Sequence, residues 1–252
     1  MTDAAANSVA GLLNLNKPVG KSTAKYVYRL RPILGIRKVG HAGTLDPFAD
    51  GVVIACLGRA TKLVERLMAL PKCYRTTLHL GVTNQTYDPE QPFEPVPGAR
   101  PPSREEVERL LAGFLGEIEQ VPPAYSAVKI GGIPSYRLAR EGRAAPRKPK
   151  RIRVYELTIL DYHWPMLDLE VRCGRGTYIR ALARDLGRRL GCGACCQTLT
   201  RTAVGPFRIE ESVNLDGAAS SAIRAALLPI AEAGRLLEDV ETRRLPSERE
   251  ST

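Results

Sequence analysis

The sequence predicts an α+β fold: a mixed, mostly antiparallel central sheet flanked by helices, with a basic insertion. Strand-like apolar runs and stretches of helical spacing alternate irregularly along the 252 residues, which argues against a regular βαβ repeat. No glycine-rich phosphate loop follows a strand, which argues against a doubly wound nucleotide fold. Between residues 129 and 153, nine cations (Lys129, Arg137, Arg140, Arg143, Arg147, Lys148, Lys150, Arg151, Arg153) face only Glu141. Glycines and prolines are scattered among them, which is the composition of a protruding, partly helical segment and not of core.

The elements follow in order. Residues 1–10 are small and polar and read as a loose tail. Residues 11–15 make a short apolar strand that ends at Asn16-Lys17-Pro18, and Gly20 punctuates the turn. Ser22 or Thr23 can cap a helix running toward Leu34, with Val27, Leu30 and Leu34 on one face. Two glycines and a proline make 39–47 a loop, and 51–57 reads as a buried strand. Helical spacing returns over 59–69, and 72–80 is a strand. Residues 83–102, rich in Pro, Asn and Gly, predict a long surface loop. Ser103 and Glu106 form a capping box for a helix burying Val107, Leu110, Leu111 and Phe114. Beyond the basic segment, 153–162 and 167–173 read as a strand pair, 177–190 as an amphipathic helix, and 197–204 as another strand. An Ala- and Leu-rich helix is predicted over 218–237, and the last dozen residues form a charged tail.

A chain of this length, 44% hydrophobic, can bury one large domain, alone or with a small appendage. Its 37 Lys and Arg against 27 Asp and Glu favour a polyanionic partner. The N-terminus lacks the basic and apolar regions that export needs, and no run of about 18 apolar residues predicts a membrane span. The six cysteines are therefore expected as free thiols in a reducing cytoplasm. Cys192, Cys195 and Cys196 invite a zinc reading, but a structural zinc site needs a second such pair, so no metal is expected and small buried hydrophobes are the expected role.

The chemistry concentrates in Gly40-His41-Ala42-Gly43-Thr44-Leu45-Asp46-Pro47. A carboxylate on a loop bounded by glycines and a proline is a way to present a reactive group from a rigid scaffold. An aspartate before proline more often hydrogen-bonds its own turn. On spacing alone both readings stay open.

The run GHAGTLDPFADGVV is very similar to the catalytic loop of the TruB family of pseudouridine synthases. Further matches run in family order. GLLNLNKPVGKST resembles the first motif, and Lys72-Cys73-Tyr74-Arg75 the K-x-Y-R strand. Tyr125-Ser126-Ala127-Val128-Lys129, with Tyr136, Ala139 and Arg140 behind it, resembles the thumb insertion. Gly174 to Arg180 resembles the G-T-Y-I-R motif, and Leu199-Thr200-Arg201-Thr202 the L-x-R-T segment.

The resemblance implies a pseudouridine-synthase fold, with a catalytic domain over 11–240 and an RNA-binding thumb over 124–153. It implies conversion of uridine-55 to pseudouridine in the T-loop of transfer RNA. Asp46 would be the catalytic aspartate, Tyr74 would stack on the target base and Arg180 would pair with Asp46. Leu199 would line the base pocket, and His41 would take the space of the flipped nucleotide. Lys17, Lys129 and Tyr178 would help hold RNA, with Arg140, Arg147, Lys148 and Lys150 on the thumb. The expected partner is the T-arm of transfer RNA. No cofactor, obligate protein partner or membrane is expected, and the expected state is a cytoplasmic monomer.

The chemistry gives reasons of its own. The reaction breaks the ribose C1′–N1 bond and rejoins the ring through C5, with no electron transfer and no imported group, so a carboxylate acting as nucleophile or as base suffices. A neighbouring guanidinium keeps such a carboxylate ionised and orients it. The base must leave its stack first, at a cost of a few kcal/mol, against which one aromatic platform returns about 1–3 kcal/mol. The sequence also departs from the family pattern. Roughly 40 residues, acidic in balance, follow the last motif, too few for the PUA module many members carry. Gln85 stands where Asp is usual, and Cys195 where His is common. A T-arm chaperone without essential catalysis, or a synthase for another RNA, stays as the alternative.

Overall fold

The structure is a computed structural model describing residues 9–126, 128–143 and 146–243. The chain opens with β1 (Gly11–Lys17), α1 (Thr23–Tyr28), α2 (Leu30–Leu34), β2 (Val39–His41) and β3 (Asp50–Leu57). A 3-10 turn over Gly58–Leu63 runs into α3 (Val64–Ala69), and then come β4 (Lys72–Leu80), β5 (Val82–Thr83) and β6 (Glu94–Pro95). The middle holds α4 (Arg104–Ala112), β7 (Gly116–Gln120), β8 (Lys129–Ile130), β9 (Ile133–Pro134), α5 (Ser135–Arg140), β10 (Lys150–His163) and β11 (Met166–Cys173). The last elements are α6 (Ile179–Leu190), β12 (Ala194–Val204), β13 (Phe207–Arg208), α7 (Ser220–Ala225), β14 (Leu228–Pro229) and α8 (Ile230–Arg243). Among the described residues no helix is long and apolar enough to cross a membrane. The chain forms two compact units, one running to Tyr74 and resuming at Thr200, the other comprising Arg75–Leu199.

In the first unit β1 lies antiparallel to β3 from Gly11↔Leu57 to Lys17↔Gly51, and β2 pairs antiparallel with β3. The C-terminal part of β12 runs parallel to β3 at Thr200↔Asp50 and Arg201↔Gly51, so this sheet is mixed. Leu12, Val52, Ile54, Leu67, Val204, Phe207 and Leu237 pack as its core. Each fully buried aliphatic side chain of this kind contributes roughly 1.5–3 kcal/mol. In the second unit β10 pairs antiparallel with β7 and β11. The capping box of α4 is complete: Glu106 N donates to Ser103 Oγ (3.2 Å), and Ser103 N donates to Glu106 Oε2 (2.7 Å).

Four sequence expectations change. The helix predicted from residue 23 to Leu34 is two helices, α1 and α2. Pro32 has no N–H to return to Tyr28, so the ladder breaks there. The 218–237 helix also divides, because Pro229 stops it and Leu228 is drawn into pairing with Leu12. The 83–102 stretch is only partly a surface loop: Asn84, Thr86 and Asp88 are buried. The basic insertion ends earlier than its composition suggests, since Lys150 to Arg153 pair with β7 as the start of β10. Cys192, Cys195 and Cys196 are all buried, and burial pushes the Cys195 thiol up to about 12.

Candidate active site

In the first unit the Asp46 loop joins β2 to β3, and three buried polar side chains tie its backbone. Thr23, where a cap was expected, turns its hydroxyl to the loop instead. It donates to Leu45 O (2.7 Å) and accepts from Leu45 N (3.0 Å). Helix α1, which carries Thr23, is itself fixed by Tyr26, whose hydroxyl donates to Asn16 O (2.9 Å) and accepts from Leu215 N (2.8 Å). Lys17 directs its ammonium to the carbonyls of Pro18 (2.8 Å), Lys21 (2.9 Å) and Pro47 (3.4 Å). Arg201 donates from Nε to Val52 O (2.6 Å), and its terminal nitrogens reach Thr44 O (3.5 Å) and Gly43 O (3.4 Å).

The carbonyls of residues 43, 44, 45 and 47 are thus all engaged, on both sides of Asp46. Lys17 and Arg201 are 0% and 2% exposed, and a buried cation is tolerated only with donors satisfied in this way. Gly43 takes φ 93, which a side chain disfavours, and Ala49 N donates to Asp46 O (3.2 Å) to close the turn. Asp46 is half-buried at the bend. A carboxylate on a backbone held this firmly is pre-organised for attack or proton removal.

Lys17, expected to hold RNA, has no exposed surface, and its ammonium donates to backbone carbonyls that include Pro47 of the loop. His41 ends β2 and is half-buried. Burial pushes its pKa down, the Arg201 charge adds to this, and the Gly43 backbone opposes it, so the ring is neutral at pH 7. Tyr74 lies on the inward face of β4, 8% exposed, on the same side as Lys72 and Thr76. Lys72 caps the end of α3 by donating to the carbonyls of Met68 and Leu70.

In the second unit Arg180 sits in the first turn of α6 and pairs with Asp88 at 3.0 Å, the two side chains 3% and 2% exposed. Its guanidinium also donates to Thr86 O (3.0 Å) and Tyr125 O (2.9 Å). The loop supplying Asp88 is held by Asn84, which accepts from Tyr87 N (2.6 Å) and donates to the carbonyls of Asp88 (2.8 Å) and Gln91 (2.9 Å). Tyr87 takes a left-handed φ of 56 there. Tyr178 precedes α6, with its backbone N and O both bonded by the buried Gln120 amide (2.9 and 3.1 Å). Leu199 is buried on β12, Arg147 is half-buried, and Lys148 and Lys150 are exposed. The side chains of Lys129 and Arg140 lie outside the described residues.

Sequence reasoning missed Thr23, Arg201, Asp88 and Gln120 as site-forming residues. Two of them carried a signal, Arg201 by its place in the L-x-R-T segment and Thr23 as the last residue of the GLLNLNKPVGKST motif.

Comparison with known proteins agrees with the motif order. The TruB family pseudouridylate synthase N-terminal domain matches residues 31–179, and the tRNA pseudouridylate synthase B C-terminal domain matches 180–233. The tRNA pseudouridine synthase B of Clostridium kluyveri is 41% identical over 88% of this chain and 77% of its own length. That of Dehalococcoides mccartyi is 43% identical over 81% of this chain and 68% of its own. Among solved structures, a chain of a Cbf5-Nop10-Gar1 complex superposes with a TM-score of 0.68 at 29% identity, over 88% of this chain. One from an H/ACA RNP bound to a substrate RNA containing 2'-deoxyuridine gives 0.65 at 27%. This chain spans only 61% and 60% of those two.

Proposed function

Since the chain belongs to the TruB family of pseudouridylate synthases, we propose that it isomerises uridine to pseudouridine in transfer RNA, at position 55 of the T-loop, with Asp46 as the catalytic carboxylate. The observation that carries the catalytic role is the loop clamp: Thr23, Lys17 and Arg201 all hold the backbone on either side of this one carboxylate.

In the proposed reaction the extruded uridine meets Asp46, which acts at the sugar or base while the C1′–N1 bond breaks. The ring turns, C5 bonds to C1′ and gives up its proton to solvent, and N1, freed from the sugar, takes up a proton in its place. Atoms and electrons balance within the nucleoside, so no cofactor is called for. Tyr74 serves as the stacking platform, Leu199 as pocket wall, and Arg180 as the guanidinium that keeps the carboxylate ionised. His41, neutral at pH 7, fills the vacated stack by shape and hydrogen bonding and not by charge. Tyr178, Lys129, Arg140, Arg147, Lys148 and Lys150 hold the RNA. The proposal places the protein in the cytoplasm as a monomer that needs the T-arm and no protein partner.

Tritium release from transfer RNA labelled at uridine C5 tests the reading. Asp46→Asn is expected to release none while still binding RNA. Release at the wild-type rate would remove Asp46 from the chemistry. Mapping of pseudouridine across total RNA, with and without the gene, tests the position, and loss outside the T-loop would reassign the substrate.

A further inference from the structure

Within the second unit a cavity of about 860 Å³ opens beside α6; among the described residues that line it, Arg147 alone was given a role above, in holding RNA. Five arginines do: Arg143, Arg147, Arg184, Arg188 and Arg189. Among the described residues only two carboxylates, Glu119 and Asp185, share the wall. Gathering like charge in one concavity raises the energy of the empty protein and focuses a positive field there.

The local pairings leave much of that charge available. Arg184 is matched by its neighbour Asp185 (2.8 Å) and braces Val121 O (3.0 Å). Arg143 pairs with Glu141 at 3.3 Å, an exposed contact of small worth. Arg147 and Arg188 have no carboxylate partner among the described residues. Arg189 lies 4.2 Å over the Phe114 ring, and Arg184 approaches the Tyr87 ring at 5.8 Å, so flat apolar faces accompany the guanidinium forks. Forked guanidiniums match phosphate oxygens, and aromatic or guanidinium planes accept stacked bases. The volume lies high in the range of about 300–1,000 Å³ for ligand sites, more than a single inorganic phosphate fills.

We propose that this cavity is a phosphate-ester site that takes a nucleotide segment of the RNA substrate other than the target uridine. The proposal rests on the reading that the substrate is RNA. Within this unit the cavity lies next to the structure around Arg180. Arg184 and Arg188 follow Arg180 at four-residue steps along α6, and Tyr125, whose carbonyl Arg180 holds, also lines the cavity. A bound phosphate would therefore bear on the same loop that anchors Arg180.

The test is binding of labelled transfer RNA to the full chain, in an Asp46→Asn background, over a salt series from about 50 to about 200 mM. Arg188→Gln should lower the slope of log K against log salt by about one, and Arg143→Gln/Arg188→Gln by about two. Arg109→Gln on α4 removes the same charge away from the cavity and should leave the slope alone. Thermal melts confirm that each variant is folded. An unchanged slope in the cavity variants, or an equal fall in Arg109→Gln, overturns the proposal. A second arm titrates ATP and inorganic tripolyphosphate in the absence of RNA. Saturable ATP binding that the double variant loses, with the RNA slope unchanged, assigns the cavity to free nucleotides and overturns the RNA assignment. Because binding and not turnover is read, a chain that binds RNA but never isomerises it sinks the proposed function and leaves the cavity standing.

Discussion

Gly51 and Arg201 approach so closely that only glycine fits: a Cβ on Gly51 would lie 2.3 Å from Arg201 O. The contact is made where β3 and β12 pair in parallel, and Gly51 takes φ 102 there. It brings Arg201 to the position from which its guanidinium reaches Val52, Thr44 and Gly43. Gly51→Ala meets both the clash and the strained φ, for which about 1–3 kcal/mol is the usual cost of the backbone alone. Urea unfolding should show a loss at or above that range. A stability equal to wild type would mean the two strands can part without cost.

Arg201 should act on rate through the loop it holds. Arg201→Lys keeps a charge but lacks the fork that spans three carbonyls. A displacement of the carboxylate by about 1 Å can cost roughly a hundredfold in rate. Single-turnover kinetics should show a fall on the order of tenfold to a hundredfold, with RNA affinity close to wild type. Loss of affinity without loss of rate would move Arg201 to RNA binding.

Asp88 and Arg180 form a buried ion pair, so removing one partner strands the other. Asp88→Asn takes the buried carboxylate away from the guanidinium it pairs with at 3.0 Å. Breaking a buried pair from one side costs about 3–5 kcal/mol. A drop in denaturation midpoint of that order is expected, together with reduced tritium release. A variant as stable as wild type would show that Arg180 is held without the Asp88 charge.

His41 sets a pH dependence of stability. Burial holds its folded pKa below the unfolded value of 6.5, so the unfolded chain takes up the proton first as pH falls. The stability tied to its neutral form is complete above pH 6.5, declines below it, and the decline ends once pH passes the folded pKa. Urea midpoints at pH 7.5 and pH 5 should therefore fall less for His41→Asn than for wild type. Identical falls would show that His41 titrates alike in both states.

Much of this architecture was legible in the chain. The 72–80 strand, the Ser103–Glu106 box and the 167–173 strand rest on local signals, alternation and capping, that act within a few residues. Both divided helices carried a visible proline, Pro32 and Pro229, that the apolar spacing masked. The buried polar loop at Asn84 was hidden because a sequence rich in turn formers looks the same whether water or a folded neighbour satisfies it.

By itself the sequence determined the family and much of the order of elements, and it singled out Asp46 as the candidate carboxylate, because motif residues and hydrophobic periodicity are written in near neighbours. Only the tertiary structure decided what Lys17, Thr23 and Arg201 do. Each bonds carbonyls on or around a loop distant in sequence, as Arg201 does across 158 residues to Gly43. A long polar side chain has no assigned environment until the chain has folded. The same cation that reads as an RNA contact in a string of letters becomes, once desolvated among carbonyls, part of the frame that aims Asp46.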